Sequence, residues 1–163
     1  MDEYLQTSVP GIYSAGDSTG ELMLAHFAAY QGVIAAQNIA QPENPRRSAN
    51  INVPSCIFTD PEIACVGLNE AQLAQQGQEA EVHKFDFLGS GMARILDETE
   101  GFLKIISDKR SGKILGASLI GPRATELISV LGLSATCQIT IKQLKETIFA
   151  HPTLSESIRE AVS

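Results

Sequence analysis

The order of the apolar segments beyond residue 50 constrains the fold of this chain more than any other feature. Five apolar runs of strand length come first, with one short helical pattern among them, and two helical patterns follow. The five runs are VPSCIF, IACVG, EVHKFDF, FLKIISD and KILGASLIG. Strands in one block followed by helices in another are typical of α+β proteins. We therefore predict an antiparallel sheet with helices packed on one face.

Short-range signals support this interpretation. The stretch KRSGK (109–113) separates two of the strand candidates, and its length suits an antiparallel hairpin. Asn69 with Gln72, and Thr140 with Gln143, stand at the spacing of a capping box, in which two side chains satisfy the first N–H groups of a helix. These pairs predict helices that begin just after residues 69 and 140.

The first 40 residues follow a different pattern. GIYSAGDSTGE predicts a short apolar strand that runs into a glycine turn, and LMLAHFAAYQGVIAAQNIA predicts a buried helix. A polar segment, QPENPRRSAN (41–50), separates them from the rest. We predict two domains, residues 1–45 as the end of an α/β unit and residues 50–163 as the α+β domain.

Composition excludes several classes of function. The net charge is −7 and the basic residues are scattered, which argues against a nucleic-acid partner. No apolar run approaches the ~20 residues of a membrane span, and no signal peptide is visible, so a cytoplasmic location is expected. The three cysteines, Cys56, Cys65 and Cys137, show neither a CxxC spacing nor zinc-ligand spacing, and no metal site is predicted.

Gly16 and Asp17 end the predicted strand of the first unit. Glycine allows close approach of a ligand, and a carboxylate at this edge can accept hydrogen bonds from sugar or ribityl hydroxyls. A common Gly-Asp turn without a ligand is the alternative.

The stretch MLAH lies at the start of the predicted helix of the first unit. Its first N–H groups and the positive end of the helix dipole suit a partly anionic ligand group. The alternative is that these residues belong only to the core. The stretch comprises Met23, Leu24, Ala25 and His26.

The stretch HPTLSE (151–156) allows two interpretations. Thr153 and Glu156 match a capping box for the last helix, in which Glu156 reaches back to the N–H of Thr153. Alternatively, Glu156 accepts a hydrogen bond from one nitrogen of His151 and leaves the other nitrogen to act as a general base. Glu156 can also serve both purposes at different moments.

Six stretches together resemble the FAD-dependent pyridine-nucleotide disulfide oxidoreductases. They cover nearly all of the chain, and HPTLSE is most similar to the dihydrolipoamide dehydrogenases of this family, although glutathione or mercuric reductases remain alternatives. The six stretches are QTSVPGIYSAGD, MLAHFA, VPSCIFTDPEIACVGLNEAQL, GFLKII, KILGASLIGPRATELI and FAHPTLSESIREA.

The resemblance implies a role for each part of the chain. Residues 1–45 would be a remnant of the FAD-binding domain, and residues 50–163 the dimerisation domain of a homodimer. Asp17 would bind the ribityl chain of FAD, with Met23 to His26 along the flavin. His151 and Glu156 would match the catalytic base and its partner, acting on the dithiol site of the other subunit. NAD(P)H would be the co-substrate, and lipoyl groups are candidate substrates.

Three family motifs are absent from this sequence. It contains no GxGxxG for the FAD pyrophosphate, no NAD(P)H fingerprint and no CxxxxC redox pair. We therefore expect a fragment that needs the missing FAD and NAD domains, is inactive alone and binds no cofactor by itself. A free-standing dimerisation module without catalysis is the alternative.

Overall fold

The computed structural model describes residues 1–48 and 52–163. The chain divides into two compact units, Met1–Ile51 and Asn52–Ser163. Residues 49 and 50 of the predicted linker, and with them the predicted start of the second domain, lie outside the described residues.

The second unit contains a five-stranded sheet in which every neighbouring pair is antiparallel. The strand order is β1-β2-β5-β4-β3. The predicted hairpin around KRSGK joins β4 to β5, and the predicted α+β class is confirmed. The strands are β1 (Ser55–Ile57), β2 (Glu62–Gly67), β3 (Ala80–Asp86), β4 (Phe102–Asp108) and β5 (Ile114–Gly121).

The described part of the chain contains six α-helices, one in the first unit and five in the second. Both predicted capping boxes are present, at the starts of α2 and α5. The helices are α1 (Ala25–Ala40), α2 (Glu70–Gln75), α3 (Gly91–Leu96), α4 (Ala124–Thr136), α5 (Ile141–Glu146) and α6 (Glu156–Ala161).

The core of the second unit lies between one face of the sheet and helices α4 and α6. Every second residue of the three central strands points to this face, as the alternation of a pleated strand requires. In one cross-strand row, Ala64 pairs with Leu119 and Leu119 with Leu103. These side chains form one buried cluster with Leu131 of α4 and Ile158 of α6. The opposite face carries Lys104, which forms an ion pair with Glu70 of α2.

A side chain from the sheet holds the first turn of α4. The helix follows Arg123, which has a positive φ of 53° and makes no side-chain cap. Glu62 of β2 supplies the missing acceptor, because its Oε2 accepts from the N–H of Thr125 at 3.0 Å and from the Thr125 hydroxyl at 2.7 Å. These two hydrogen bonds lower the pKa of Glu62.

The first unit differs from its prediction in two ways. Residues 11–15 form no strand but a single bridge between Gln6 and Tyr13, because a strand needs backbone partners on a neighbouring segment and only this short one is present among the described residues of the unit. The helix α1 is buried along one face rather than all round. Val33 and Ile39 on its other sides are more than half exposed.

Two glycines with a positive φ, Gly101 and Gly112, differ in how closely other atoms approach them. Gly101 has a φ of +104°, and an added Cβ would lie 1.8 Å from the carbonyl oxygen of Ile120. Gly112 in the β4–β5 hairpin also has a positive φ, of 69°, but its Cβ would meet nothing within 4 Å. We predict that Gly101→Ala lowers the free energy of unfolding by about 3 kcal/mol or more. Gly112→Ala should lose only about 1 kcal/mol.

Urea denaturation followed by circular dichroism measures both losses. Equal losses of unfolding free energy in the two variants would show that Gly101 does not lie as close to the Ile120 carbonyl of β5 as the structure places it.

Candidate functional site

His151 and Glu156 come together where the chain enters α6. The Nδ1 of His151 lies 2.9 Å from Oε1 of Glu156. The imidazole side chain is 82% exposed, whereas the glutamate side chain is 31% exposed. The peptide bond between His151 and Pro152 is cis. The pair is therefore formed by residues of one short segment, with the ring at the surface and the carboxylate half-buried behind it.

Both oxygens of the Glu156 carboxylate are occupied. While Oε1 faces His151, Oε2 accepts a hydrogen bond from the main-chain N–H of Thr153 at 2.8 Å. The back-reach of Glu156 to Thr153, which is one half of the capping-box interpretation, is thus present at the same time as the contact between Glu156 and His151. The carboxylate reaches back to the loop as a capping glutamate does, and it also holds the imidazole.

A full capping box at Thr153 is not formed. Its hydroxyl donates its proton to the carbonyl of Ala150 at 2.7 Å, on the side of the loop that precedes the helix. The α-helix begins only at Glu156, after Ser155, which makes no side-chain cap. A box centred on Thr153 would require helical residues from 154 onwards, whereas residues 154 and 155 form a turn.

The electrostatics keep Glu156 in its charged form. The N–H of Thr153 lowers the pKa of this carboxyl most, and the hydrogen bond from His151 lowers it further. A charged carboxylate can only accept, so Nδ1 of the ring carries the proton. The neutral imidazole then has its lone pair on Nε2, which is the arrangement that a general base requires.

The segment that carries this pair is anchored on both sides. Phe149 packs against the core cluster before His151, and Leu154 is buried in it after His151. On α6, Ile158 is fully buried against the sheet. The exposed ring is therefore held by a short loop between two apolar anchors.

The first unit contains the other predicted site residues. Gly16 and Asp17 begin a 3-10 turn, Gly16–Thr19. Gly16 is buried with a φ of +73°, and an added Cβ would come to 3.0 Å from the Cβ of Ala28 on α1. Asp17 is exposed. The glycine lets the turn approach the helix closely, and the carboxylate stays at the surface.

The stretch Met23–His26 lies where it was predicted, at the start of a helix. Leu24 is the N-cap residue and makes no side-chain cap, so the first N–H groups of α1 are not satisfied by a capping side chain. Met23 is 72% exposed, Leu24 is half-buried, and Ala25 and His26 are exposed. Three of the four residues are therefore at the surface rather than in the core.

Sequence reasoning missed Gln31, which holds this part of the first unit together. Its side chain is fully buried, and its Oε1 accepts from the N–H of Gly16 at 2.8 Å. Its Nε2 donates to Glu21 at 3.2 Å. One amide from α1 thus binds the chain on both sides of Asp17, at Gly16 and at Glu21. The available signal was a polar residue on the largely apolar face of the helix that is buried, a face on which Asn38 is the second such residue.

Other features of the described residues add no second candidate site. An open cleft of about 690 Å³ is lined by five carboxylates and one guanidinium, and it includes none of the predicted site residues. Its lining residues are Thr59, Asp60, Pro61, Glu62, Asp97, Glu98, Thr99, Glu100, Gly121, Pro122 and Arg123. Within residues 1–48 and 52–163, no cluster of three or more His, Cys, Asp or Glu could hold a metal ion. No helix there is long and apolar enough to cross a membrane.

The second unit matches a known protein family. Residues 53–162 match the family described as the pyridine nucleotide-disulphide oxidoreductase dimerisation domain. The dihydrolipoyl dehydrogenase of Chlamydia muridarum is 46% identical over 155 residues, which are 95% of this chain and 33% of that protein. The dihydrolipoyl dehydrogenase of Rhizobium etli is 40% identical over 161 residues, 99% of this chain and 34% of that protein.

Solved structures give the same result. LpdA from Mycobacterium tuberculosis superposes with a TM-score of 0.89 at 33% identity, over 99% of this chain and 35% of that one. The HOCl-induced flavoprotein disulfide reductase RclA from Escherichia coli has a TM-score of 0.90 at 28% identity, over 99% of this chain and 37% of that one. The chain spans about a third of the length of the relatives it matches.

The carboxylate of Glu156 gives a titration that can be measured directly. Folding lowers its pKa below the ordinary value of about 4.3. This carboxylate therefore stabilises the folded chain above that ordinary pKa, and its contribution disappears as the pH falls through the lowered value. We predict that a carbon-13 NMR titration places Glu156 below the ordinary value.

His151→Ala should raise that pKa only in part, because the N–H of Thr153 remains and contributes most. A Glu156 that titrates at its ordinary value in the unchanged chain would contradict the described hydrogen bonds.

Proposed function

The chain belongs to the pyridine nucleotide-disulphide oxidoreductases, whose dimerisation domain its residues 53–162 match, and on that premise we propose that it supplies the catalytic base of a dihydrolipoamide-oxidising flavoenzyme. The contact that carries the proposal is the 2.9 Å hydrogen bond between His151 and Glu156. The substrate is inferred from relatives that are named dihydrolipoyl dehydrogenases.

The chemistry of a dithiol explains why a base is needed. Thiols are mostly neutral near pH 7, and only the thiolate attacks a disulfide well. Nε2 of His151 takes the proton from the incoming thiol and returns it to the leaving sulfur. Glu156 keeps the proton on Nδ1 and orients the ring, so the same nitrogen is available in both directions.

The base acts in a homodimer, on the dithiol site of the partner subunit. The name of the matched domain supports a dimer. Large apolar side chains of the second unit are exposed, among them Leu133 of α4 at 66% and Ile148, close to His151, at 94%. A second copy that covers such side chains would remove apolar surface from water.

The first unit is the end of an FAD-binding domain in this proposal, and its residues suit one wall of a flavin site. Asp17 offers exposed carboxylate oxygens to ribityl hydroxyls, and the uncapped first turn of α1 offers N–H groups to the flavin. Gly16 lets the turn that carries Asp17 lie close against α1, and Met23, Leu24, Ala25 and His26 lie at the start of that helix. A flavin held by these residues would supply the two-electron chemistry that links a dithiol to NAD(P)⁺.

By itself the chain is inactive and serves as an assembly module. Its sequence has no GxGxxG loop for the pyrophosphate and no CxxxxC pair to exchange electrons with the substrate. The FAD and NAD domains must therefore come from additional polypeptide.

A fusion protein tests the base. This chain would replace the matching third of the Chlamydia muridarum dihydrolipoyl dehydrogenase, and turnover of dihydrolipoamide would be measured. We predict that His151→Gln lowers kcat by about 10²- to 10⁴-fold, the usual contribution of a general base. His83→Gln is the matched control, because His83 lies in β3, hydrogen-bonded to Ser107, and should leave turnover unchanged.

Complementation then tests the dimer. A fusion with His151→Gln is mixed and refolded with a fusion that lacks the redox cysteines of the relative. Recovered turnover shows that the base serves the partner subunit. Full turnover of the His151→Gln fusion alone would remove His151 from the mechanism.

A flavin titration tests the isolated chain. Because only one wall of the flavin site is present, we predict no tight complex when FAD is added at micromolar concentration, as followed by visible absorbance. The fusion protein, which has the other walls, is the positive control. A stoichiometric yellow complex of the isolated chain would contradict the proposal that it binds no cofactor alone.

A further inference from the structure

We infer that Thr153 is a positioning residue for the His151–Glu156 pair, acting through both its hydroxyl and its main-chain N–H. The inference rests on the proposed function, since it assigns Thr153 to the same site. Neither group of Thr153 need touch the substrate.

The hydroxyl closes the loop that carries the imidazole. It donates to the carbonyl of Ala150 at 2.7 Å, and this bond spans His151 and Pro152. Ala150 and Pro152 are themselves exposed, so little packing holds these two residues in place. The hydrogen bond therefore limits the directions in which the chain can present His151.

The main-chain N–H fixes the carboxylate. It donates to Oε2 of Glu156 at 2.8 Å, while Oε1 faces Nδ1 of His151 at 2.9 Å. A carboxylate is planar, so holding one oxygen sets the direction of the other. Pro152 has no N–H, which makes Thr153 the first main-chain donor after the histidine. The closed loop aims this donor at Glu156, and Glu156 in turn orients the ring.

The side chain of Thr153 is suited to positioning the His151–Glu156 pair. It is half-buried, and its β-branch restricts χ1, so few orientations of the hydroxyl are allowed. The lowered pKa of Glu156 is consistent with this role, because the N–H of Thr153 lowers that pKa more than His151 does. The main-chain bond is open to any residue except proline, whereas the bond to Ala150 needs the hydroxyl.

The experiment separates the hydroxyl from the shape of the side chain. Thr153→Val keeps the β-branch and removes the hydroxyl, whereas Thr153→Ser keeps the hydroxyl. Nitrogen-15 NMR of the His151 ring at about pH 9, where an ordinary imidazole is neutral, reports which nitrogen carries the proton. We expect the unchanged chain and Thr153→Ser to hold it on Nδ1, and Thr153→Val to show a mixture of the two tautomers.

Two further variants complete the comparison. Thr125→Val also removes a hydroxyl hydrogen bond to a glutamate, but on α4, and it should leave the His151 spectrum unchanged. Thr153→Ala provides the same readout should valine prevent folding. A His151 spectrum that is the same in Thr153→Val or Thr153→Ala as in the unchanged chain would overturn the inference.

Turnover of the fusion protein distinguishes this inference from the proposed function. With Thr153→Val we expect kcat to fall about tenfold to a hundredfold at an unchanged KM, and Thr153→Ser to restore most of it. A changed tautomer with full turnover would leave Thr153 as a positioning residue but would remove the catalytic role of His151. Reduced turnover with an unchanged tautomer would overturn the positioning role itself.

Discussion

The carboxylate of Glu156 is the constraint on which the candidate site depends. It accepts from the imidazole of His151 with one oxygen and from the main chain at Thr153 with the other. A single acceptor thus orders the loop before α6 and selects the tautomer of the ring. The same carboxylate serves the loop and the imidazole, because a charged carboxylate that satisfies a loop N–H is also a strong acceptor for an imidazole N–H.

The sheet and its helices make this arrangement rigid. α6 has only six residues, too few to be stable alone in water. It is held because Ile158, Ala161 and Val162 are buried against the sheet in the same cluster as Leu131 of α4. The loop with His151 is therefore positioned by apolar burial that lies behind it. An exposed side chain can be positioned precisely when the residues on both sides of it are anchored by burial.

Buried amides organise the first unit in place of a large apolar core. Gln31 holds the N–H of Gly16. Asn38 donates to the carbonyls of Tyr4 and Arg46 and accepts from the N–H of Arg46. Each amide ties irregular chain to the regular helix α1 and satisfies polar groups that burial would otherwise penalise. In this way a segment without regular strands keeps a defined turn at Asp17.

The sequence by itself determined the features that arise within a few residues. The class of the fold follows from the order of strand and helix patterns along the chain. The β4–β5 hairpin and the capping boxes at Asn69 and Thr140 follow from spacing, since their hydrogen bonds join close neighbours. The family resemblance also rests on local stretches, and the comparisons confirm it. Only the tertiary structure decided the order β1-β2-β5-β4-β3 and the absence of a strand at residues 11–15, because strand pairing joins distant segments. The tertiary structure also decided the role of Gln31 and the two simultaneous hydrogen bonds of Glu156. The hydrogen-bond partners of a buried or half-buried polar group depend on the segments that pack against it.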